Sequence, residues 1–154
     1  MKVVQINTVV DRGGASRITT DMHNIVKQSG FHSTVIYGRG KESSDSDFWR
    51  FSGKAEVLLH GVSSVLFDSH GLSSHQSTKR LVEYLDNNNP DIIHLHNIHG
   101  YYLNYPILFD YLRIRSKPVV WTLHDCWSFT GHCSHFEHVG CNKWQYGCGQ
   151  CPQL

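Results

Sequence analysis

Residues 117–125 read KPVVWTLHD, an apolar run that opens on proline and ends on two side chains able to take or give a proton, His124 and Asp125. Parallel strands are covered on both faces of their sheet, so they are typically continuous runs of valine, isoleucine and leucine. In open α/β sheets, ligands bind in the crevice outside the carboxyl ends of such strands. The run therefore predicts a buried strand, with His124 and Asp125 at the rim of a ligand-binding crevice.

A second apolar run of the same kind precedes residues 117–125. Residues 90–100 read PDIIHLHNIHG, which again opens on proline and ends in polar, hydrogen-bonding side chains. We expect His94 to be a hydrogen-bonded histidine of the core. His96, Asn97 and His99 lie at or beyond the predicted strand end, where polar loop residues often carry function, so we expect them to contact a ligand. Two strands then deliver side chains to one edge of a sheet.

The rest of the chain alternates strands and helices around these two runs. Further strands are predicted at residues 3–7, 33–37 and 48–51. Helices are predicted at 16–29, 54–67 and 102–115, and one more that Ser73 or Ser74 caps runs to about residue 86. This order is typical of a doubly wound, Rossmann-like α/β fold with a parallel sheet and right-handed crossovers. The strand order is expected to reverse between the first strand and the strand at Asp91, which faces their two following loops toward each other.

Length and composition limit the classes of protein to consider. The 154 residues suffice for one domain, residues 1–154, with its own core. A formal net charge of +1 gives no electrostatic reason to expect a nucleic-acid partner. The N-terminus lacks the apolar centre of a secretory signal, and no run approaches the roughly 20 apolar residues that cross a bilayer. We expect a cytoplasmic protein, with any membrane contact peripheral and at the inner face.

A glycine pair, Gly13 and Gly14, follows the first predicted strand and precedes a helix. Glycines in this place let backbone N–H groups approach an anion, and the helix N-terminus adds a partial positive charge. The pair fits a phosphate-facing loop and a plain turn equally well. A dinucleotide site is disfavoured, because the Gly-x-Gly-x-x-Gly pattern is missing and no acidic residue ends the second strand.

Residues 126–154 form an irregular, cysteine-rich segment with few aliphatic side chains. Its cysteines beyond Cys126 are Cys133, Cys141, Cys148 and Cys151. The last two form a Cys-x-x-Cys pair, a spacing that lets two thiolates hold one zinc ion, and the other two would complete a tetrahedral structural site. Free thiols and disulfides are the alternatives. Cys126 stands apart and is expected to be a buried thiol.

Three motifs together carry a family resemblance: GG at 13–14, HLHNIHGYY at 94–102 and WTLHDCW at 121–127. With them the chain resembles the N-terminal lobe of GT-B glycosyltransferases of the retaining family 4, in particular enzymes that build bacterial surface polysaccharides. In that family two Rossmann-like lobes face each other. The C-terminal lobe holds most of the nucleotide-sugar, whereas the N-terminal lobe binds the glycan or glycolipid acceptor and offers a glycine-rich loop to the diphosphate.

The resemblance assigns roles to particular residues. Gly13 and Gly14 match the phosphate loop, and His124 matches a histidine that hydrogen-bonds the donor sugar near the reacting carbon, with Asp125 beside it. Asn97 and His99 match the acceptor-side loop. The resemblance implies no catalytic metal.

One departure from the family pattern is large. The donor lobe with its Glu-x7-Glu element is absent from this sequence, so we expect an incomplete N-terminal lobe that is inactive alone, either a fragment or a truncated gene product. The alternative from another class is a non-enzymatic, zinc-bearing interaction module with a vestigial crevice. Another nucleotide-using Rossmann enzyme is a third, weaker interpretation.

Overall fold

The computed structural model describes residues 1–131 and 133–153. The chain divides into two compact units, of which the first is Met1–Thr122 and the second begins at Leu123.

The first unit is a parallel sheet with helical crossovers. Its elements are β1 (Lys2–Asn7), α1 (Gly14–Gln28), β2 (His32–Tyr37), β3 (Phe48–Arg50), α2 (Lys54–Phe67), α3 (His75–Asn88), β4 (Ile92–Leu95), α4 (Tyr105–Arg115) and β5 (Val119–Trp121). The strand order is β3-β2-β1-β4-β5, and all four pairings are parallel. The predicted Rossmann-like α/β fold is confirmed, and the strand order reverses at β1 as predicted.

The core lies between the central strands and the helices that cross them. Ile6, Val35, Ile36, Ile93 and Leu95 of the three central strands are completely buried. Leu81 and Leu85 of α3 and Leu108 of α4 are buried with them. Burial of these apolar side chains is the main favourable term that stabilises the sheet.

The strand in residues 117–125 is shorter and more exposed than predicted. β5 covers only Val119–Trp121, and Val119 and Val120 remain 42% and 48% exposed. The prediction of a buried strand is wrong because β5 is the edge of the sheet among the described strands and pairs with β4 alone. An apolar run indicates a strand but does not say whether a neighbour covers it.

The start of α4 and the capping of α3 differ from the prediction. α4 begins at Tyr105 rather than near Tyr102, because Asn104 caps it: its side-chain oxygen accepts a hydrogen bond from the Ile107 N–H at 3.1 Å. Ser74 precedes α3 but makes no side-chain cap. Its hydroxyl lies 2.7 Å from Nδ1 of His60 instead.

The second unit has little regular structure. It contains α5 (Trp127–Thr130) and two 3₁₀ turns, Glu137–Val139 and Lys143–Gln145. Phe129, Phe136 and Trp144 form an aromatic cluster with ring centroids 5.2 to 6.2 Å apart. Three aromatic rings supply apolar contacts that the aliphatic count of this segment did not predict.

None of the helices within 1–131 and 133–153 has the length and apolar character that a bilayer crossing needs.

Candidate functional site

The loops that follow β1, β2 and β4 meet at Thr8, at the carboxyl edge of the sheet. The Thr8 hydroxyl lies 2.9 Å from the Asn97 carbonyl oxygen and 2.7 Å from that of His99. The Thr8 carbonyl accepts hydrogen bonds from the N–H groups of Gly38 and Arg39, at 3.2 and 2.9 Å. Thr8 could not be predicted from the sequence, because no pattern marks a threonine after a strand as a loop anchor. Three loops are thereby held in one arrangement.

The glycine pair stands at the N-terminus of α1. Gly13 has a φ of 83°, which favours glycine, and α1 begins at Gly14. A Cβ built at either position would meet no atom within 4 Å. The backbone here is therefore open to a ligand, and the first turn of a 15-residue helix offers N–H groups and a partial positive charge to an anion.

His94 and His96 lie inside the sheet rather than in the crevice. Their rings stack with centroids 4.2 Å apart, and both are buried. Nε2 of His94 lies 2.8 Å from the Thr122 hydroxyl, and Nε2 of His96 lies 3.0 Å from Oε1 of Gln5. The expectation for His94 as a hydrogen-bonded core residue is confirmed. His96 was expected at the strand end, but the structure places its ring in the core at 1% exposure, because it points back toward β1.

Asn97 and His99 are half-buried residues of the loop after β4. Their carbonyl oxygens hold the loop: both lie beside the Thr8 hydroxyl, and that of Asn97 also accepts from the Tyr102 hydroxyl at 2.8 Å. The structure thus brings the loop of Asn97 and His99 together with the loop that leads to Gly13. These two residues remain the acceptor-side candidates.

His124 and Asp125 belong to the second unit, beyond the end of β5. An Asp125 carboxylate oxygen accepts a hydrogen bond from the Trp127 N–H at 3.0 Å, so this side chain supports the turn into α5. Burial lowers the pKa of His124, and the Asp125 charge raises it by a smaller amount. The ring is therefore neutral at pH 7 and can donate one N–H.

The cysteines of the second unit are free thiols, without disulfides. Within the described parts of the chain, no three His, Cys, Asp or Glu side chains are arranged to hold a metal ion. The structure therefore does not bring Cys133, Cys141, Cys148 and Cys151 together as a zinc site. Cys126 is half-buried, and its thiol lies 3.5 Å from a Glu137 carboxylate oxygen; burial and this neighbour raise the pKa of the thiol.

Comparison with known proteins decides the family. The model of "Glycosyltransferase Family 4" matches residues 12–148, which is most of the chain. The chain belongs to glycosyltransferase family 4. The resemblance seen in its sequence motifs is confirmed.

A relative of this family 4 chain is the protein of Escherichia coli (strain K12) named "Putative colanic acid biosynthesis glycosyl transferase WcaC". The two sequences are 30% identical over 166 positions, which cover the whole of this chain and 40% of that protein. The family 4 chain thus spans less than half the length of this relative. The matched residues 12–148 include Gly13, Gly14, Asn97, His99 and His124.

Proposed function

We propose that this family 4 chain is the acceptor-side lobe of a two-lobed, GT-B type retaining glycosyltransferase. The complete enzyme would transfer a hexose from a nucleotide-sugar to a lipid-linked or oligosaccharide acceptor at the cytoplasmic face of the membrane. The observation that carries the proposal is the family 4 match over residues 12–148, which includes both the open helix start at Gly14 and the loop of Asn97 and His99. Hydrogen bonds of Thr8 join that loop to the loop that leads to Gly13.

The N-terminus of α1 would act on the leaving group. Sugar transfer breaks the bond between the anomeric carbon and the diphosphate oxygen, so negative charge grows on the diphosphate and positive charge on the sugar. Backbone N–H groups at Gly14 and the partial positive charge of α1 would stabilise that negative charge, which is largest in the transition state. Gly13 and Gly14 lack the side chains that would keep phosphate oxygens away from this backbone.

The remaining roles fall to the acceptor loop and to His124. Asn97 and His99 would hold acceptor hydroxyl groups, and Thr8 would fix their loop against the loop of Gly13. The neutral His124 would donate a hydrogen bond to the donor sugar, with Asp125 restraining the backbone beside it. Positioning of this kind is a large share of catalysis for two-substrate reactions.

The isolated 154-residue chain should not catalyse transfer, because it corresponds to 40% of the E. coli relative and a second lobe would supply the base and ribose contacts. Two measurements test the proposal. Calorimetry of the chain with a panel of nucleotide-sugars should show only weak binding, and tight binding would mean that the lobes are assigned wrongly. The product of the complete reading frame should transfer labelled sugar, and a reading frame that stops at Leu154 would instead favour a non-enzymatic interaction module.

A further inference from the structure

Helix α2 leaves an apolar face uncovered. Its sequence carries no Asp, Glu, Lys or Arg between Glu56 and Asp68. The exposed apolar side chains of this helix are Leu58, Leu59, Val62, Val65, Leu66 and Phe67, at 48% to 80% exposure. An uncovered apolar stripe of this length on a surface helix indicates a binding face.

Part of this face lines a groove that leads to the carboxyl edge of the sheet. The groove has a volume of about 580 Å³, and Leu58, Val62, Val65 and Leu66 of α2 line its length. Arg39 and Tyr101 also line it, and they come from the loops that follow β2 and β4. Its volume lies in the range of small-molecule sites, and it opens beside the proposed acceptor loop.

A basic pocket continues this groove. It has a volume of about 220 Å³ and shares Arg39, Lys54 and Val57 with the groove, and it adds Arg12 and Arg50. None of its described lining residues is acidic. Arg12 directly precedes Gly13, so the pocket reaches the loop that is proposed to face phosphate.

The nearby carboxylates pair with one of the four pocket cations, Arg50, and leave Arg12, Arg39 and Lys54 without an ion-pair partner among the described residues. Glu42 is paired with Arg50 at 2.6 Å, and Glu56 with Arg80 at 2.6 Å. Asp11 accepts a hydrogen bond from the backbone N–H of Lys41. Arg39 keeps its guanidinium at the pocket by donating to the Gly100 carbonyl at 2.8 Å. Because Glu42 neutralises Arg50, the cations that face this small volume are Arg12, Arg39 and Lys54, and three positive charges match a phosphate or diphosphate.

The geometry points to one amphiphilic ligand for both features: a lipid whose phosphate or diphosphate binds the basic pocket and whose hydrocarbon chain lies in the α2 groove. This inference rests on the proposed function, since it makes the acceptor a lipid-linked phosphate. A bilayer surface would instead contact all the exposed side chains of α2, including Leu59 and Phe67, which do not line the groove. A groove that ends in a charged pocket fits a single lipid molecule better than a flat surface.

Binding to the 154-residue chain tests this without any transfer assay, so failure here is distinguishable from failure of the proposed function. Three probes separate the contribution of the diphosphate from that of the hydrocarbon chain: farnesyl diphosphate, inorganic diphosphate and farnesol. We expect farnesyl diphosphate to bind at least about tenfold more tightly than inorganic diphosphate, because the chain buries apolar area in the groove. Equal affinity for the two diphosphates would overturn the inference and leave a free-anion pocket.

Matched variants locate the site. Val65 lines the groove, so Val65→Asp should reduce the affinity ratio of farnesyl diphosphate to inorganic diphosphate to less than about threefold. The controls Phe67→Asp, on the same helix, and Ile114→Asp, on α4, should retain the native ratio. All three side chains are at least 68% exposed, so the fold should tolerate each change. Lys54→Gln should weaken binding of both diphosphates, and the exposed Lys79→Gln should not.

Two further measurements distinguish the other occupants. Equal loss of binding to phosphatidylglycerol vesicles in Val65→Asp and Phe67→Asp, without a groove-specific effect on farnesyl diphosphate, would overturn the inference in favour of a bilayer surface. Sedimentation that shows a dimer broken by Val65→Asp would overturn it in favour of a second copy of this chain.

Discussion

The Thr8 hydroxyl lies 2.7 Å from the His99 carbonyl oxygen, although the two residues are 91 positions apart in the chain. This contact joins the loop that leads to the glycine pair with the proposed acceptor loop. A hydrogen bond between loops of two adjacent strands fixes their separation before any ligand arrives. The arrangement therefore preorganises the edge of the sheet where the two substrates would meet.

Thr8→Val should destabilise the chain by about 1 to 2 kcal/mol, because two half-buried carbonyl groups lose their shared donor. Urea unfolding measures this change. Thr8→Ser retains the hydroxyl, so its free energy of unfolding should fall by less than that of Thr8→Val. Equal stability of the valine variant and the native chain would mean that water replaces the contact at no cost.

Alanine substitution should affect stability differently at two glycines of the carboxyl edge of the sheet, Gly38 and Gly14. A Cβ at Gly38 would overlap the ring of Tyr102, which is completely buried, so Gly38→Ala should cost about 1 to 3 kcal/mol. Gly14→Ala meets open space in the first turn of a helix, so the melting temperature should be unchanged or higher.

In the product of the complete reading frame, Gly14→Ala should raise KM for the nucleotide-sugar, because the new methyl group occupies the approach to the α1 backbone. Thermal melts and steady-state kinetics on the same preparations separate the two effects. A stable Gly14→Ala enzyme with an unchanged KM would contradict the phosphate-loop role.

His60 should make stability depend on pH between about 4 and 6.5. It is buried in α2, where its Nε2 accepts from the Gly71 N–H at 3.1 Å. Burial lowers the pKa of His60 to about 4, and His70 and His75 act in the same direction. Between pH 4 and 6.5, His60 therefore binds a proton in the unfolded chain but not in the folded chain. The free energy of unfolding falls as pH falls from 6.5 toward 4.

His60→Gln is the matched variant, since glutamine can accept from Gly71 and donate to Ser74 without titrating. The loss of stability between pH 7 and pH 4.5 should be smaller in this variant by about 2 kcal/mol. Urea unfolding at the two pH values gives the difference. Parallel pH profiles for both proteins would show that His60 does not carry the effect.

The cysteine spacing predicts one zinc ion per chain, whereas the structure groups no three metal-ligating side chains within residues 1–131 and 133–153. Elemental analysis of protein purified without added metal distinguishes the two. Zinc held by the four cysteines would be lost in Cys148→Ser and retained in Cys126→Ser, whose thiol lies beside Glu137 instead. Zinc-free protein whose melting is unaffected by a chelator would contradict the prediction and leave the aromatic cluster of Phe129, Phe136 and Trp144 as the core of this segment.

The order of strands and helices could be predicted because apolar runs and helical spacing are local properties. Residues 54–67 were predicted as a helix and form α2 with those bounds. The exposure of Val119 and Val120 could not be predicted, since an edge strand and a central strand have the same sequence pattern. The burial of His96 depends on its contact with Gln5, 91 positions away, which spacing does not reveal.

The functional surface was only partly predictable for the same reason. Gly13 and Gly14 stand out because glycines between a strand and a helix have a backbone reason to be there. Arg12, Arg39, Arg50 and Lys54 come from separate segments with no motif, so only the fold brings them to one pocket. Thr8 acts through its hydroxyl on a loop far along the chain.

The central claim is that this chain is the acceptor-side lobe of a sugar-transferring enzyme, and kinetics of His124→Ala in the product of the complete reading frame tests it most directly. The exposed His138→Ala serves as the control. We predict that the native enzyme and His138→Ala transfer labelled hexose at equal rates. His124→Ala should keep its melting temperature and lose roughly 10² to 10³ in kcat with little change in KM, because the hydrogen bond from His124 acts mainly in the transition state. A folded His124→Ala enzyme with native kcat, or no transfer by the native enzyme with any nucleotide-sugar, would contradict this account.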